Sequence, residues 1–172
     1  NSCQYETLSI YDTVKPVICT VKDSSDLKTG KISARVLEHL HNFYKENPYT
    51  ELLGLAVEAV EYGKVTLSMQ VENRLCNFYK IAHGGALLSM ADTAMGATCL
   101  SVNKKVVTQA LSNNFIKAAP EGTKLYAVGR VLHGGRRTMV CETEVKDAEG
   151  TLYCKATGNF FVIGDCVEED HE

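Results

Sequence analysis

Apolar and polar residues alternate along several stretches of the chain, which is typical of antiparallel strands buried on one face. One clean example runs from residue 64 to residue 72, with its apolar face at Val65, Leu67, Met69 and Val71. A β-like run at 52–61 precedes it, and the turn Tyr62-Gly63 joins the two. Four more strands are predicted, separated by glycine-containing turns, at 106–115, 125–133, 137–146 and 152–163.

Two segments carry helical patterns instead. In the first, apolar residues recur at spacings of four, four and three, at Ile32, Val36, Leu40 and Phe43, and Asn47-Pro48 ends the pattern. The second, Gly84 to Ser101, is apolar on every side of a helical wheel and is therefore predicted to be buried on all sides. Two strands, a long helix and four strands predict an α+β fold with the sheet wrapped around that helix.

The length of 172 residues leaves room for one domain. We divide the chain into an N-terminal extension with little pattern, a domain and an acidic tail that is expected to be solvated, at 1–30, 31–164 and 165–172.

Composition and charge exclude several classes of function. The chain is 45% hydrophobic and 23% charged, as in ordinary soluble globular proteins. A net charge of −3 gives no basic surface for nucleic acid or an anionic membrane. No apolar run reaches the roughly 20 residues of a membrane span, and the N-terminus has no secretory pattern. We expect neither nucleic acid nor membrane as a partner.

The cysteines and histidines do not form a metal site. Seven cysteines are scattered without a Cys-x-x-Cys pair, so reduced buried thiols in the cytoplasm are expected in place of a disulfide scaffold. His39 and His41 lie on different faces of the first helix, and no other cluster has the spacing of metal ligands. No metal is predicted.

Asp92 is the one ionisable side chain in the long apolar helix. A lone buried carboxylate is costly, so its presence indicates either a local backbone bond or a chemical role. The helix begins with His83-Gly84-Gly85, where first-turn N–H groups and the helix dipole favour an oxyanion, unless the glycines merely make a tight turn. The same tripeptide at 133–135 is explained by a hairpin turn.

The spacing of these groups predicts a dimer. Gly84 and Asp92 are eight residues apart, about 12 Å along a helix, whereas both must come within about 3 Å of one reacting centre if they serve one reaction. Two antiparallel copies of the helix satisfy this requirement, because each N-terminus then lies beside the other copy's aspartate.

Residues 77–94 (NFYKIAHGGALLSMADTA) closely resemble the signature of hotdog-fold acyl-CoA thioesterases of the phenylacetate-degradation (PaaI-like) type, and segments within 107–119 and 135–150 extend the likeness. The resemblance covers about 48–163. It implies the hotdog fold, an antiparallel sheet wrapped around a long central helix, with hydrolysis of an acyl-CoA to a carboxylic acid and CoA.

The resemblance also implies roles for individual residues. Asp92 would activate water or attack the thioester, the Gly84 N–H would hold the oxyanion, and Asn77 would polarise the carbonyl. His83 would lie near the departing thiolate, and Thr108 would orient the water. From the residues alone, Asn77 fits a turn residue as well as a catalytic one. Thr108 fits an ordinary strand residue better than a catalytic one.

Substrate binding is assigned to the backbone of Gly85 and to the segment Gly135, Arg136 and Arg137. Guanidinium groups bind phosphate in bidentate fashion, so the arginines are candidates for the CoA phosphates, although a solvated hairpin end is an equal alternative. Adjacent strand residues point to opposite faces, so one of the two arginines is expected to reach the ligand. The resemblance implies no cofactor beyond the CoA of the substrate, and a dimer or a tetramer built as a dimer of dimers.

Two other functions fit the same fold. A non-catalytic acyl-CoA sensor would be expected to lack the carboxylate and to carry a DNA-binding segment. A hotdog acyl dehydratase or hydratase would use a His and a carboxylate, which His83 and Asp92 supply in type. The spacing and the paired glycines favour the thioesterase.

Overall fold

The computed structural model describes residues 30–168. The predicted N-terminal extension, apart from Gly30, and the last four residues of the acidic tail lie outside this range. In chain order the elements are α1 (Ala34–Lys45), α2 (Pro48–Leu53), β1 (Ala56–Glu61), β2 (Lys64–Gln70), a 3-10 turn (Asn73–Leu75), α3 (Gly84–Ser101), β3 (Lys104–Phe115), β4 (Lys124–Gly134), β5 (Thr138–Lys146) and β6 (Leu152–Asp165). No helix in the described range is long and apolar enough to cross a bilayer.

The six strands form one antiparallel sheet with the order β1-β2-β4-β5-β6-β3, and α3 packs across it. The α+β prediction is confirmed, and α3 has the predicted bounds. Its inward side chains, among them Met90, Ala94 and Met95, meet the inward residues of the strands in one core. The sheet therefore curves around a single helix.

The predicted β-like run at 52–61 is wrong in its first half. Residues Pro48–Leu53 form α2, and the strand begins at Ala56. The side chain of Asn47 accepts a hydrogen bond from the Tyr49 N–H and so caps the helix, while Pro48 takes the first helical position, where its missing N–H costs nothing. The pair Asn47-Pro48 therefore follows the first helix and begins the second.

Close contact between α3 and the sheet depends on Gly129 in β4. A Cβ atom built there would overlap the Thr98 hydroxyl and lie 2.7 Å from the Ala94 carbonyl oxygen. That carbonyl also accepts a hydrogen bond from the same hydroxyl. A strand residue without a side chain lets the helix backbone rest directly on the sheet.

The prediction that α3 is buried on all sides is wrong for the protomer. Eleven of its 18 residues are buried, but one stripe along the helix is not: Gly84, Gly85, Leu88, Ser89, Asp92, Thr93 and Gly96. Asp92 is therefore partly exposed. The helix presents an uncovered face that contains its one carboxylate.

The edge strand β3 is also uncovered. It spans 12 residues, pairs only with β6 among the strands of residues 30–168, and is exposed from Val107 to Ala110. Further along its inward row, Asn113 buries both polar atoms of its amide, and neither makes a hydrogen bond to any residue in 30–168. An amide of this kind is a destabilising feature of the protomer.

The start of the predicted solvated tail is held to the fold. Asp165 belongs to β6 and pairs with Lys104 at 2.6 Å. The side-chain oxygen of Asn103 accepts hydrogen bonds from the N–H groups of Cys166 and Val167. Residues 165–167 therefore contact the segment at the start of β3.

Candidate active site

Asp92 and Thr108 form the first part of the candidate site. The Thr108 hydroxyl donates to Oδ1 of Asp92 at 2.8 Å. Thr108 lies opposite the buried Phe160 of β6, and a bulge follows it before Ala110. Since paired residues of adjacent strands share a face, Thr108 points inward at α3. This hydrogen bond fixes one oxygen of the carboxylate and leaves the other for a second partner.

Tyr44 of α1 borders the same region. Its hydroxyl donates to the Thr93 carbonyl at 3.0 Å. Burial, followed by the negative charge of Asp92, raises the pKa of Tyr44 well above its usual range. Helix α1 therefore packs against the α3 residues beside the carboxylate.

The start of α3 forms the second part. His83 is the N-cap, and its Nδ1 accepts a hydrogen bond from the Gly85 N–H at 2.9 Å. Since Nδ1 is the acceptor, the neutral ring carries its proton on Nε2. The Ala86 N–H bonds to the His83 carbonyl, whereas the Gly84 N–H has no partner among the described residues. Gly84 is thus the first-turn donor that remains, and the N–H of Gly85 is already used.

Asn77 lies in the loop just before this helix and acts as a turn residue. Its side-chain oxygen accepts from the Tyr79 N–H at 2.9 Å, and its carbonyl accepts from Lys80, which has a left-handed φ of 59°. The amide nitrogen of Asn77 makes no hydrogen bond to a described residue. The turn therefore fixes the side chain of Asn77 and leaves its amide nitrogen available as a hydrogen-bond donor.

The hairpin between β4 and β5 forms a third part. Thr108, Phe160, Met139 and Gly134 lie in one row across four strands. Arg136 and Arg137, both exposed, lie just beyond the last of these. The row spans about 14 Å at about 4.8 Å per strand. The arginines therefore lie at the end of the sheet where Asp92 and Thr108 meet. The Gly135 N–H closes the turn by bonding to the Thr138 carbonyl at 2.9 Å.

The protomer does not bring the three parts together. Asp92, Thr108 and the arginine hairpin lie at one end of the sheet. Gly84 lies at the other end, near Phe115, whose ring atom is 3.2 Å from where a Gly84 Cβ would be. Gly84 and Asp92 belong to one straight element and are about 12 Å apart along it. No group of three His, Cys, Asp or Glu side chains within 30–168 is placed to hold a metal ion.

Beside the start of α3 the structure has an apolar pocket of about 240 Å³. Helix α2 forms one wall and the first two turns of α3 form the other. The hydroxyl of Tyr49 and Oγ of Ser89 lie 2.6 Å apart and link the two walls. The lining residues are Tyr49, Leu52, Leu53, Arg74, Leu75, His83, Gly85, Ala86 and Ser89. We call this the α2 pocket.

The sequence profile described as the thioesterase superfamily matches residues 79–154. A hypothetical thioesterase of Streptococcus pneumoniae, solved with coenzyme A, is 33% identical, with a TM-score of 0.63 over 64% of this chain and 90% of that one. The chain belongs to the thioesterase superfamily. Acyl-coenzyme A thioesterase PaaI of Escherichia coli is 26% identical over 136 residues, 79% of this chain and 97% of that protein. The solved PaaI structure gives a TM-score of 0.74 over 78% and 98% of the two chains.

The predicted resemblance to PaaI-like hotdog thioesterases is thereby confirmed, as is the hotdog fold. A further neighbour, a Streptococcus mutans protein solved with acetyl-CoA bound, is 31% identical with a TM-score of 0.63 over 64% of this chain and 90% of that one. Sequence reasoning missed Tyr44, Tyr49 and Ser89 in this thioesterase. No local sequence pattern marks Tyr44 or Tyr49 as part of the site, because both contact α3 only once the helices have packed.

Proposed function

We propose that the protein hydrolyses an acyl-CoA thioester to a free carboxylic acid and CoA, at a site shared by two subunits. The observation that carries this proposal is the pair formed by Asp92 and Thr108, together with a Gly84 N–H, at the start of the same helix, that has no partner within residues 30–168. A carboxylate held by a hydroxyl and a dipole-assisted N–H donor are the two groups that thioester hydrolysis needs. The E. coli relative is an acyl-CoA thioesterase, and two streptococcal neighbours were solved with CoA or acetyl-CoA.

Two subunits are needed because Gly84 and Asp92 of one chain cannot reach one carbonyl. A second α3, antiparallel to the first and seated on its uncovered stripe, would bring the partner subunit's Gly84 beside Asp92. Gly85, Ser89 and Gly96 lie on that stripe, and their small size would permit close approach of two helices. Pairing of two exposed β3 edges would at the same time cover a long edge that a lone protomer leaves open.

The chemistry then follows from the donors and acceptors. With Oδ1 of Asp92 held by Thr108, Oδ2 takes a proton from water, and the water oxygen attacks the thioester carbon. The oxyanion accepts from the Gly84 N–H and from the Asn77 amide nitrogen. When the C–S bond breaks, the thiolate leaves and is protonated, with Nε2–H of His83 nearby. The alternative is attack by Oδ2 itself, which forms a mixed anhydride that water hydrolyses.

The spacing of the carboxylate and the hydroxyl has a parallel in the Streptococcus pneumoniae protein. Structures of that protein were solved with one aspartate and one threonine each replaced by alanine, at positions sixteen residues apart. Asp92 and Thr108 are also sixteen residues apart. The parallel supports assigning both residues to one task here.

The remaining assignments follow from this arrangement. Arg136 or Arg137 would bind CoA phosphates, on the side of the site that Asp92 supplies. We propose a dimer or a dimer of dimers, no cofactor beyond the CoA of the substrate, and a cytoplasmic location. The five cysteines within 30–168 are free thiols, which supports a reducing compartment.

Release of free thiol from a panel of acyl-CoAs tests the reaction. Continuous release by the wild type, lowered about a thousandfold in Asp92→Asn with acyl-CoA binding retained, supports hydrolysis. Binding without release would indicate a sensor, and hydration of an enoyl-CoA without release would indicate a hydratase. Unchanged release in Asp92→Asn would remove Asp92 from the chemistry.

Mixing two inactive variants tests the sharing. Asp92→Asn and Gly84→Pro subunits, refolded together, form some mixed dimers in which one site carries both defects and the other carries neither. Activity should reappear in the mixture if each site takes Gly84 from one subunit and Asp92 from the other. A mixture as inactive as its components, with mixed dimers demonstrated by mass, would contradict a shared site.

A further inference from the structure

We propose that Phe78 and Tyr79 bind the phosphopantetheine arm, the part of coenzyme A that links the thioester sulfur to the phosphates. This inference rests on the proposed function and adds two residues to the site that it uses. Both side chains lie at the tip of the loop before α3, in the turn Asn77–Lys80, which we call the aromatic turn. They are contacts for the leaving group and take no part in the chemistry.

The two aromatic rings are uncovered in the protomer. Phe78 is fully exposed and Tyr79 is 82% exposed, more than any other large apolar side chain that the structure describes. Single exposed apolar residues are common at protein surfaces, but adjacent aromatic rings on one turn form a patch of the kind that binds a ligand or a partner. Covering these rings would therefore contribute favourably to binding.

Backbone hydrogen bonds hold the aromatic turn on both sides. Within the turn, the Lys80 N–H bonds to the Asn77 carbonyl at 3.1 Å, and the Asn77 N–H bonds to the Ile81 carbonyl at 2.9 Å. On the outer side, the Lys80 carbonyl accepts from the Glu121 N–H at 3.1 Å. A fixed backbone lowers the entropy cost of binding, because it presents the rings in one place before the ligand arrives.

The aromatic turn adjoins the groups that would hold the thioester. Its first residue, Asn77, supplies the side-chain nitrogen assigned to the oxyanion, and the loop returns through the bridge between Cys76 and Ala82 to the start of α3. None of residues 76–82 lines the α2 pocket. In an acyl-CoA bound at Asn77, the leaving group begins with the phosphopantetheine arm, which is therefore the part of CoA nearest to the turn.

The character of the turn fits this arm better than it fits the phosphates or a membrane surface. The arm between the sulfur and the phosphates is uncharged and carries amide groups along an apolar chain. Phe78 offers an apolar ring, and Tyr79 adds a hydroxyl that can bond to an amide. The one charged residue of the turn, Lys80, lies 4.0 Å from Glu121, so the turn has no surplus charge to attract phosphates or anionic lipid.

The arm would be held between two subunits. In the shared site, one subunit supplies Asp92 and the arginine hairpin, whereas its partner supplies Gly84 and the aromatic turn. The phosphates and the arm of one CoA molecule then depend on different chains. The dimer would therefore share the binding of the leaving group as well as the reaction.

The experiment measures kcat and KM for one acyl group carried by three thiols: CoA, pantetheine and N-acetylcysteamine. Pantetheine keeps the arm without the phosphates, and N-acetylcysteamine keeps only its first amide. The double variant Phe78→Ala/Tyr79→Ala removes both rings, whereas Phe78→Tyr/Tyr79→Phe keeps them. Phe161→Ala is the matched control, because Phe161 is an exposed aromatic residue on the face of the sheet opposite α3.

We expect the alanine variant to raise KM for acyl-CoA and acyl-pantetheine about tenfold or more, with kcat changed by at most about threefold. KM for the N-acetylcysteamine thioester should change by at most about threefold. The variant that keeps both rings and Phe161→Ala should follow the wild type. Equal rises in KM for all three thioesters, or no rise for any, would overturn the inference while leaving hydrolysis intact.

Two further outcomes would also overturn it. A rise in KM for acyl-CoA alone would assign the rings to the nucleotide and not to the arm. Loss of the dimer in the alanine variant, measured by light scattering, would make the rings a contact between subunits, and circular dichroism serves as the folding control. A wild type that releases no thiol from any of the thioesters would instead overturn the proposed function.

Discussion

The hydroxyl of Thr108 lies 2.8 Å from Oδ1 of Asp92, so a residue of the edge strand holds the carboxylate of the central helix. This bond joins the edge strand β3, whose outer edge is unpaired within residues 30–168, to the helix α3, which has an exposed stripe. Any second subunit that covers both would approach the carboxylate from its open side. The position of Asp92 therefore depends on the edge of the sheet as well as on its own helix.

Thr108→Val should lower kcat about 10- to 100-fold, because a hydrogen bond to a charged group contributes about 1.5–3 kcal/mol. KM for the acyl-CoA should change little, since Thr108 touches the carboxylate and not the substrate. Thr108→Ser keeps the hydroxyl and should recover most of the activity. Steady-state kinetics of both variants check this; a Val variant as active as the wild type would leave Thr108 as a strand residue only.

Gly84→Pro should abolish most activity while Gly84→Ala keeps much more of it. Gly84 is the first helical residue, where proline is favoured, and His83 has φ −62° and ψ 137°, which suits a residue before proline. Proline removes the N–H, whereas alanine keeps it and places the same Cβ against the Phe115 ring, which is 56% exposed.

A loss of about 100- to 1,000-fold in kcat is expected for the proline variant, as for other oxyanion donors. Circular dichroism and the melting temperature of both variants serve as the folding control. Equal losses in the two variants would mean that the Cβ, and not the missing N–H, causes the defect.

Tyr44 should make stability fall at alkaline pH. Its pKa is raised in the folded state, so the folded chain keeps a proton that the unfolded chain loses above its ordinary value of about 10. The contribution is complete below pH 10 and is lost as the pH rises, by up to about 1.4 kcal/mol per pH unit. Tyr44→Phe should be less stable near pH 7, through loss of the bond to the Thr93 carbonyl, but its free energy of unfolding should fall less steeply above pH 10. Parallel curves in urea unfolding from pH 8 to 11 would contradict this prediction.

Asn113→Leu should raise the free energy of unfolding by about 1–2 kcal/mol. Both polar atoms of this amide are buried without a partner in the described chain, and an unsatisfied buried polar group costs about 1–3 kcal/mol. Leucine has the same number and branching of side-chain heavy atoms, with two methyl groups in place of the amide oxygen and nitrogen. Asn114→Leu, an exposed neighbour on the opposite face of β3, should change stability by less than about 0.5 kcal/mol. Destabilisation by Asn113→Leu would show that the amide gains a hydrogen bond in the assembled protein.

Local sequence patterns predicted most of the fold. The bounds of α3 were predicted from the glycines that begin it and its continuous apolar run, and the strands from alternation. The run at 52–61 failed because Asn47-Pro48 both disfavours a continuing helix and provides a good cap for a new one. A pattern of apolar residues at 52–53 does not distinguish a short helix from a strand.

The candidate site was predicted in part. Asp92 and His83-Gly84-Gly85 stand out in sequence because a lone acid and paired glycines are unusual in an apolar helix. Tyr49 and Ser89 do not, because the α2 pocket exists only where two distant segments pack. Burial of α3 on all sides was predicted from the spread of apolar residues around a helical wheel, which does not reveal whether its own chain or another covers each face.

The absence of a side chain at Gly129 has a consequence for the whole catalytic unit. Any side chain at Gly129 would displace α3 from the sheet at Thr98. Asp92 and Gly84 belong to the same helix and would move with it. In the proposed dimer each active site takes Asp92 from one α3 and Gly84 from the other. A single substitution would therefore displace both groups in every site. A residue that never meets the substrate would thus help to set the geometry of every active site.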